Sequence, residues 1–424
     1  MPDATQPGRG RPAWLTAPVL TVAGLSIASG IAQFSVTAVI GDVASAFGTT
    51  SGGDDLTAQI GLPTTTIGVA LALIRLASLG SLPAAALADR YGRRQVLLTL
   101  AAIGLTLTTL AALAPSFWFY IGLVALARPM LSAVNGLAGV VAAEESSARD
   151  RSAAIALVTA AYGLGAGIVS LSRTALPGEP SFRVVTAFTL LPLLALPLLA
   201  RRIREPRIAR DAEHSQGIPG AIPAGLRVRV LILSALAGST ALATGPGFTY
   251  LFVYGEDILG ASTGFSSLLV LGAGPAGVIG LLIGRAGADR IGRRVTAGLM
   301  MLLTGVGIAY AYSGSTRALA IGYLAAIATS TGFAPPTGAL AAELVPTRVR
   351  ATVAGWVTVA GVLGAVIGLM TFGVLADATG SFASASRIIG IVVALVSVGF
   401  VLLPETRGHE LDEDEPGHAT ADGT

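Results

Sequence analysis

The chain contains no cysteine and no lysine. The first absence excludes disulfides, thiolate metal sites and a cysteine nucleophile. The second makes all 27 basic residues arginines. Charge is scarce overall, at 12% of 424 residues, against about 25% in an average soluble domain. Only three histidines occur, His214, His409 and His418. All three fall in polar stretches, so a histidine-based metal or catalytic site inside an apolar segment is excluded. What is abundant is apolar surface: 53% of the residues are hydrophobic. A soluble fold cannot hide that much, and the expected solvent is the lipid bilayer.

A bilayer crossing takes about 20 apolar residues. That rule predicts twelve helices, at 18–41, 64–88, 95–114, 117–142, 152–173, 184–200, 230–254, 262–286, 295–313, 318–341, 351–375 and 385–403. The sequence therefore divides into a tail (1–17), a six-helix bundle (18–200), a polar linker (201–229), a second six-helix bundle (230–403) and an acidic tail (404–424). The apolar run that begins near Pro18 is too long for the core of a cleavable signal. With both termini on one side, 21 arginines fall on that side. Only Arg173, Arg183, Arg317 and Arg387 fall on the other, and Arg75 and Arg128 lie within helices. Such asymmetry predicts a multi-pass protein of the cytoplasmic membrane with both termini in the cytoplasm.

The two bundles repeat one another. Asp89-Arg90-Tyr91-Gly92-Arg93-Arg94 returns 200 residues later as Asp289-Arg290-Ile291-Gly292-Arg293-Arg294. Glu144 precedes Arg151 by seven residues, and Glu343 precedes Arg350 by seven. Glu205-Pro206 follows the sixth helix and Pro404-Glu405 the twelfth. Duplicated six-helix halves are a common plan for secondary transporters.

These motifs resemble the major facilitator superfamily. The Asp-Arg-x-Gly-Arg-Arg loop between helices 2 and 3, with its copy between 8 and 9, looks like the signature loop of that family. The Glu-x6-Arg elements and Pro404-Glu405-Thr406-Arg407-Gly408 resemble its sugar-porter and metabolite-porter branches. The resemblance covers about residues 18–408. It departs at Ala85 and Arg285, where the family usually has glycine. Helix 5 reads Gly163, Gly165, Gly167, without the Gly-Pro and Gly-Gly pairs typical of drug antiporters. The resemblance implies an all-α membrane fold of twelve transmembrane helices in two pseudo-symmetric bundles. It also implies that Asp89 approaches the start of helix 11, and Asp289 the start of helix 5.

A cytoplasmic gate is expected from Asp89, Arg90, Gly92, Arg93, Arg94, Glu144, Arg151, Asp289, Arg290, Gly292, Arg293, Arg294, Glu343 and Arg350. The glycines suit a tight turn with positive φ. The aspartates suit the positive ends of helices. Topology alone accounts for the arginines, but not for the repeated aspartates.

Ionisable residues within spans are rare and usually functional. Arg75 lies 14 residues before Asp89, about 21 Å deep at 1.5 Å per residue. Arg128 lies about 16 Å down helix 4. Arg128, Ser132, Asn135 and Gly139 form one helical stripe, and Ser26, Gly30, Gln33 and Thr37 another. Substrate-binding candidates are Gln33, Arg75, Arg128, Ser132, Asn135, Tyr162, Tyr250 and Trp356, with Phe248 and Phe333 as further aromatics. Asp42, Glu256, Asp257 and Asp377 sit near outer helix ends, so no carboxylate lies deep. Two buried cations without an acid favour an anionic or neutral polar solute.

The expected function is secondary active transport of a small organic solute by alternating access. Proton coupling is one option, with Asp42 as the carboxylate for it. A drug/proton antiporter of the same superfamily is the alternative, and a non-transporting membrane sensor a further one. No metal, cofactor, nucleic acid or enzymatic activity is expected. The partners are the bilayer and a small solute, with a monomer as the expected state.

Overall fold

A computed structural model describes residues 15–51, 53, 55–147, 150–175, 181–203 and 222–406. Most of the predicted linker and acidic tail, with the three histidines, lies outside these residues. Among the described residues there is no strand, and twelve helices are long and apolar enough to cross a membrane. They are α1 (Ala17–Phe47), α2 (Thr64–Ser81), α3 (Arg93–Ala111), α4 (Phe117–Glu144), α5 (Arg151–Ala175), α6 (Phe182–Ala200), α7 (Gly225–Thr249), α8 (Thr263–Arg290), α9 (Arg293–Ala311), α10 (Thr316–Leu344), α11 (Thr352–Thr379) and α12 (Phe382–Leu402).

Each helix starts where local chemistry allows. Ser116 caps α4 by accepting from the Phe119 amide at 3.3 Å, and Ser315 caps α10 from Ala318 at 3.2 Å. The two serines are 199 residues apart, the interval of the Glu-x6-Arg repeat. A serine oxygen here satisfies an amide that has no partner inside the helix. The outward face is apolar: Leu194, Leu268, Leu282 and Leu395 are each more than 60% exposed. In water such a surface would aggregate, whereas in lipid it is solvated.

Three predicted helices turn out to be interrupted. The span expected at 64–88 ends as a 3-10 turn over Ser78–Ser81, and a separate helix follows at Ala84–Tyr91. Pro83 lacks the amide that a continuous helix requires there. In α10, Pro335 and Pro336 restart the helix, which divides at Phe333. The segment predicted at 184–200 forms two pieces, Phe182–Ala187 and Leu190–Ala200. Helix α1 runs six residues past its predicted end, to Phe47.

Within each half the tightest pairs are equivalent. Helix α1 packs on α5, and α7 on α11. The halves meet through α2 against α11 and α5 against α8. Because twelve crossings alternate, both Asp-Arg-x-Gly-Arg-Arg motifs lie at one end of the molecule, here termed the loop end. The central cavity lies between the halves, bounded mainly by α1, α2, α4, α7 and α11.

Candidate functional site

The cavity measures about 250 Å³. Arg75, Arg128 and Gln33 line it from the N-terminal half, as two of the residues on helical stripes and the isolated arginine of α2 should. Phe248, Ala365 and Leu369 line it from the other half. No acidic side chain lines it. The Nε atoms of Arg75 and Arg128 are buried without a hydrogen-bond partner. Neither guanidinium has an ion-pair partner among the described residues. Gln33 is held in place: its Nε2 donates to Ser29 Oγ at 2.8 Å, and Ser29 Oγ donates to the Leu131 carbonyl at 2.9 Å.

The other candidates fall elsewhere. Ser132 and Asn135 continue the α4 stripe toward the loop end, half-buried, without lining the cavity. The Asn135 Oδ1 is buried and unpartnered. Tyr162 is half-buried on α5 and its backbone carbonyl packs against Gly30. Tyr250 is fully buried. It stacks on Phe372 at 5.0 Å and its hydroxyl donates to the Thr64 carbonyl at 3.2 Å. It therefore packs the interface between the halves and does not face the cavity. Trp356 is 56% exposed and also off the cavity. Phe333 packs edge-on against Phe400, with centroids 5.8 Å apart.

At the end opposite the loops, polar contacts join the halves. Arg173, only 4% exposed, donates to both oxygens of Glu256 at 3.1 and 2.9 Å, and to Asp42 at 3.0 Å. Its guanidinium also stands over the Phe252 ring at 5.3 Å. Asp42 is thus anchored in an ion-pair cluster rather than poised alone. Asp377 accepts from the Thr64 and Thr65 amides. Ser267 Oγ donates to the Ser170 carbonyl at 2.6 Å and accepts from Thr174 Oγ1 at 2.9 Å. Arg173 was readable only as a loop arginine. Its place near the end of an apolar helix, with two adjacent acids at Glu256-Asp257 in the other half, was the available signal.

At the loop end the repeat holds residue by residue, but within each half. Arg93 pairs with Glu144, and Arg293 with Glu343. The Arg151 Nε donates to the Ala143 carbonyl at 3.2 Å, and Arg350 to Ala342 at 2.8 Å. Arg94 donates to the carbonyls of Ala200 and Ile203, while Arg294 donates to Leu403. Gly92 and Gly292 have φ of 92° and 119°, the left-handed region expected of them. In the second copy Glu405 accepts from the Arg293 and Arg294 amides at 2.9 and 3.1 Å, capping α9. Arg90 and Arg290 are exposed.

Among the described residues, neither aspartate makes its expected crossing contact. Asp89 is 56% exposed and bonds Arg93 of its own loop at 3.3 Å. Asp289 is exposed as well, with no polar contact to α5 among the described residues. The physical reason is that the described polar contacts between the halves lie at the opposite end, where the molecule is closed.

No curated protein sequence matches the chain. Solved structures resemble it closely in fold. A bacterial homologue of the human lysosomal transporter Spinster, inward-facing and occupied, superimposes with a TM-score of 0.72 at 14% identity, covering 93% of this chain and 97% of that one. The inward-open xylose transporter XylE from E. coli gives 0.71 at 17% identity, covering 93% and 97%. The nucleoside transporter NupG gives 0.71 at 14% identity, covering 91% and 99%. The family model of the Major Facilitator Superfamily matches residues 22–288 and 274–421. Both repeats fall within that match, and the chain belongs to the Major Facilitator Superfamily.

Proposed function

We propose that the protein is a secondary active transporter that carries a small organic anion across the cytoplasmic membrane by alternating access. The observation that carries this reading is the pair Arg75 and Arg128, which line a cavity between the halves with no acid to neutralise them. A buried cation without a counter-ion is costly, and an anionic solute supplies the missing partner. A neutral polar solute would leave both charges uncompensated. The cavity volume of about 250 Å³ also counts against the drug-antiporter alternative, since drug-sized ligands occupy pockets of about 300–1,000 Å³.

The arginine-rich loops are assigned to the cytoplasm, so the conformation described is open inward and latched outward. Two inward-facing structures among those it resembles support this assignment. Opening outward would break the Arg173–Glu256 contact, and the loop end would close. Proton coupling fits the same cluster: protonating Glu256 or Asp42 removes the charge that holds Arg173. The test is flux of labelled organic anions, sugars and drugs into proteoliposomes, with and without a pH gradient. Saturable anion flux that needs Arg75 and Arg128 is the expected result. Flux of a neutral solute alone, unaffected by replacing both arginines, overturns the reading.

A further inference from the structure

The two walls of the central cavity differ in what they offer a solute. Arg75, Arg128, Gln33, Thr37 and Thr108 all stand on the N-terminal wall. The C-terminal wall has no charged or amide side chain. Its two hydroxyls are already committed: Thr249 Oγ1 donates to the Gly245 carbonyl at 2.6 Å, and Thr244 Oγ1 to Thr240 at 3.2 Å. A hydroxyl has one proton to donate. Both threonines therefore meet a solute with methyls and acceptor lone pairs only. Thr108 on the opposite wall is committed likewise, to Gly104 at 2.9 Å. Spare donors are thus concentrated on one side, at the two guanidiniums, the Thr37 hydroxyl and the second Gln33 amide proton.

The rest of the C-terminal wall is apolar and fixed. Tyr323 packs edge-on against the Phe248 ring, with centroids 5.7 Å apart and planes at 83°. Ala365 and Leu369 of α11 continue that surface. A hydroxyl or second charge placed against it would be buried without a donor or counter-ion, which is costly. A sugar or nucleoside, studded with hydroxyls, needs partners on both walls.

Resting on the anion reading above, we infer that the solute is a small carboxylate with a single anionic head and a hydroxyl-poor, apolar body. The head sits between Arg75 and Arg128, and the body lies against Phe248, Ala365 and Leu369. The cavity volume limits that body to a short chain or one ring.

The test is equilibrium binding to the purified full-length protein with four six-carbon probes: hexanoate, hexanamide, adipate and gluconate. Protein carrying Arg75→Gln and Arg128→Gln, in the same detergent, measures partition into micelles. Hexanoate should bind saturably and above that blank. Hexanamide, which lacks the charge, should bind at least about tenfold more weakly. Adipate and gluconate, which bring a second charge or five hydroxyls to the apolar wall, should also lose about tenfold or more. Phe248→Ala should weaken hexanoate by about threefold or more and leave acetate unchanged.

Gluconate or adipate binding as tightly as hexanoate overturns the apolar body while leaving the anion reading intact. Hexanamide binding as tightly as hexanoate overturns the anion reading itself. No hexanoate binding above the blank overturns the inferred solute outright. The probe series runs on unmodified protein, so it decides the matter even if Phe248→Ala fails to fold.

Discussion

The Asp377 carboxylate at the end of α11 accepts hydrogen bonds from the backbone amides of Thr64, at 2.9 Å, and Thr65, at 2.7 Å, at the start of α2. It thus caps a helix of the opposite half. Helices α2 and α11 run antiparallel, so Asp89, which follows α2, lies at the same end of the molecule as the start of α11, just as Asp377, near the end of α11, lies at the start of α2. In this conformation the first cap is made, while Asp89 is exposed and bonded to Arg93. Rocking the halves would exchange one cap for the other.

Replacing Asp377 by alanine removes both accepted bonds, and a helix cap is worth about 1 kcal/mol. The outward-closed state should lose about fivefold in population against the outward-open one. The measurement is alkylation of a single cysteine at Thr37, which lines the cavity, by a membrane-impermeant maleimide from the side opposite the loops. Its rate should rise about fivefold. An unchanged rate would show that the cap does not hold this end shut.

Asp89→Asn should have the opposite sign. Its carboxylate is exposed here, so the described conformation loses little. The state with a closed loop end loses an N-terminal carboxylate, about 0.3–1 kcal/mol or more. Transport should slow several-fold while thermal stability in detergent stays within about 1 °C of the unmodified protein, as for a surface substitution. A rate equal to the unmodified protein would remove Asp89 from the gate.

Glu343 and Glu144 predict a different phenotype from the aspartates beside them. Each is mostly buried and paired with an arginine of its own half. Glu343→Gln leaves the Arg293 charge half-buried and unpaired, a change that costs about 3–5 kcal/mol in buried pairs. The purified protein should melt several degrees lower. A melting temperature unchanged by Glu343→Gln, with transport slowed, would make these residues gate elements rather than braces.

The sequence made the twelve spans legible because apolar length is a bulk property, and the repeat legible because turn glycines and arginines recur at one interval. Arg128 lines the cavity at the place its α4 stripe predicts. Arg75 lines it too, although its apolar span alone left the cavity, the lipid side and a pairing with Asp42 open. The glutamates that recur at one spacing beside the arginine loops do meet them, Glu144 at Arg93 and Glu343 at Arg293, whereas the crossing contacts implied for the aspartates depend on how the halves are tilted, which sequence spacing does not carry. Tyr250 and Trp356 were not legible either: an aromatic ring has the same composition whether it packs an interface or faces lipid. The partner of Asp377 left no mark at all, being two backbone amides that every residue but proline possesses.

Sidedness can be tested directly, since native cysteine is absent. Tyr91 at the loop end is 57% exposed and Leu113 at the opposite end 74%. In right-side-out vesicles a cysteine at Leu113 should react with an impermeant maleimide, and one at Tyr91 only after permeabilisation. The reverse pattern would invert the proposed orientation, and with it the assignment of the closed end as outward.

The contact between α2 and α11 supplies a wedge experiment. A methyl added at Gly68 would stand 2.6 Å from the Leu369 carbonyl oxygen, and one at Gly373 would stand 2.6 Å from that of Thr64. Both glycines lie where the halves touch, within three turns of the Asp377 cap. By contrast, a methyl at Gly364 would meet the Gly238 carbonyl oxygen within the C-terminal half, at 2.0 Å. Overpacking of this kind costs about 1–3 kcal/mol. At Gly68 or Gly373 that cost falls only on the state whose outer end is closed, so the population should move toward the outward-open form. Maleimide labelling of the Thr37 cysteine should then rise about tenfold, with the melting temperature little changed. At Gly364 the same cost falls on every conformation, so stability should drop and labelling should stay as it was. If Gly68→Ala and Gly364→Ala behave alike, the α2–α11 contact is a fixed part of the fold and does not open during transport.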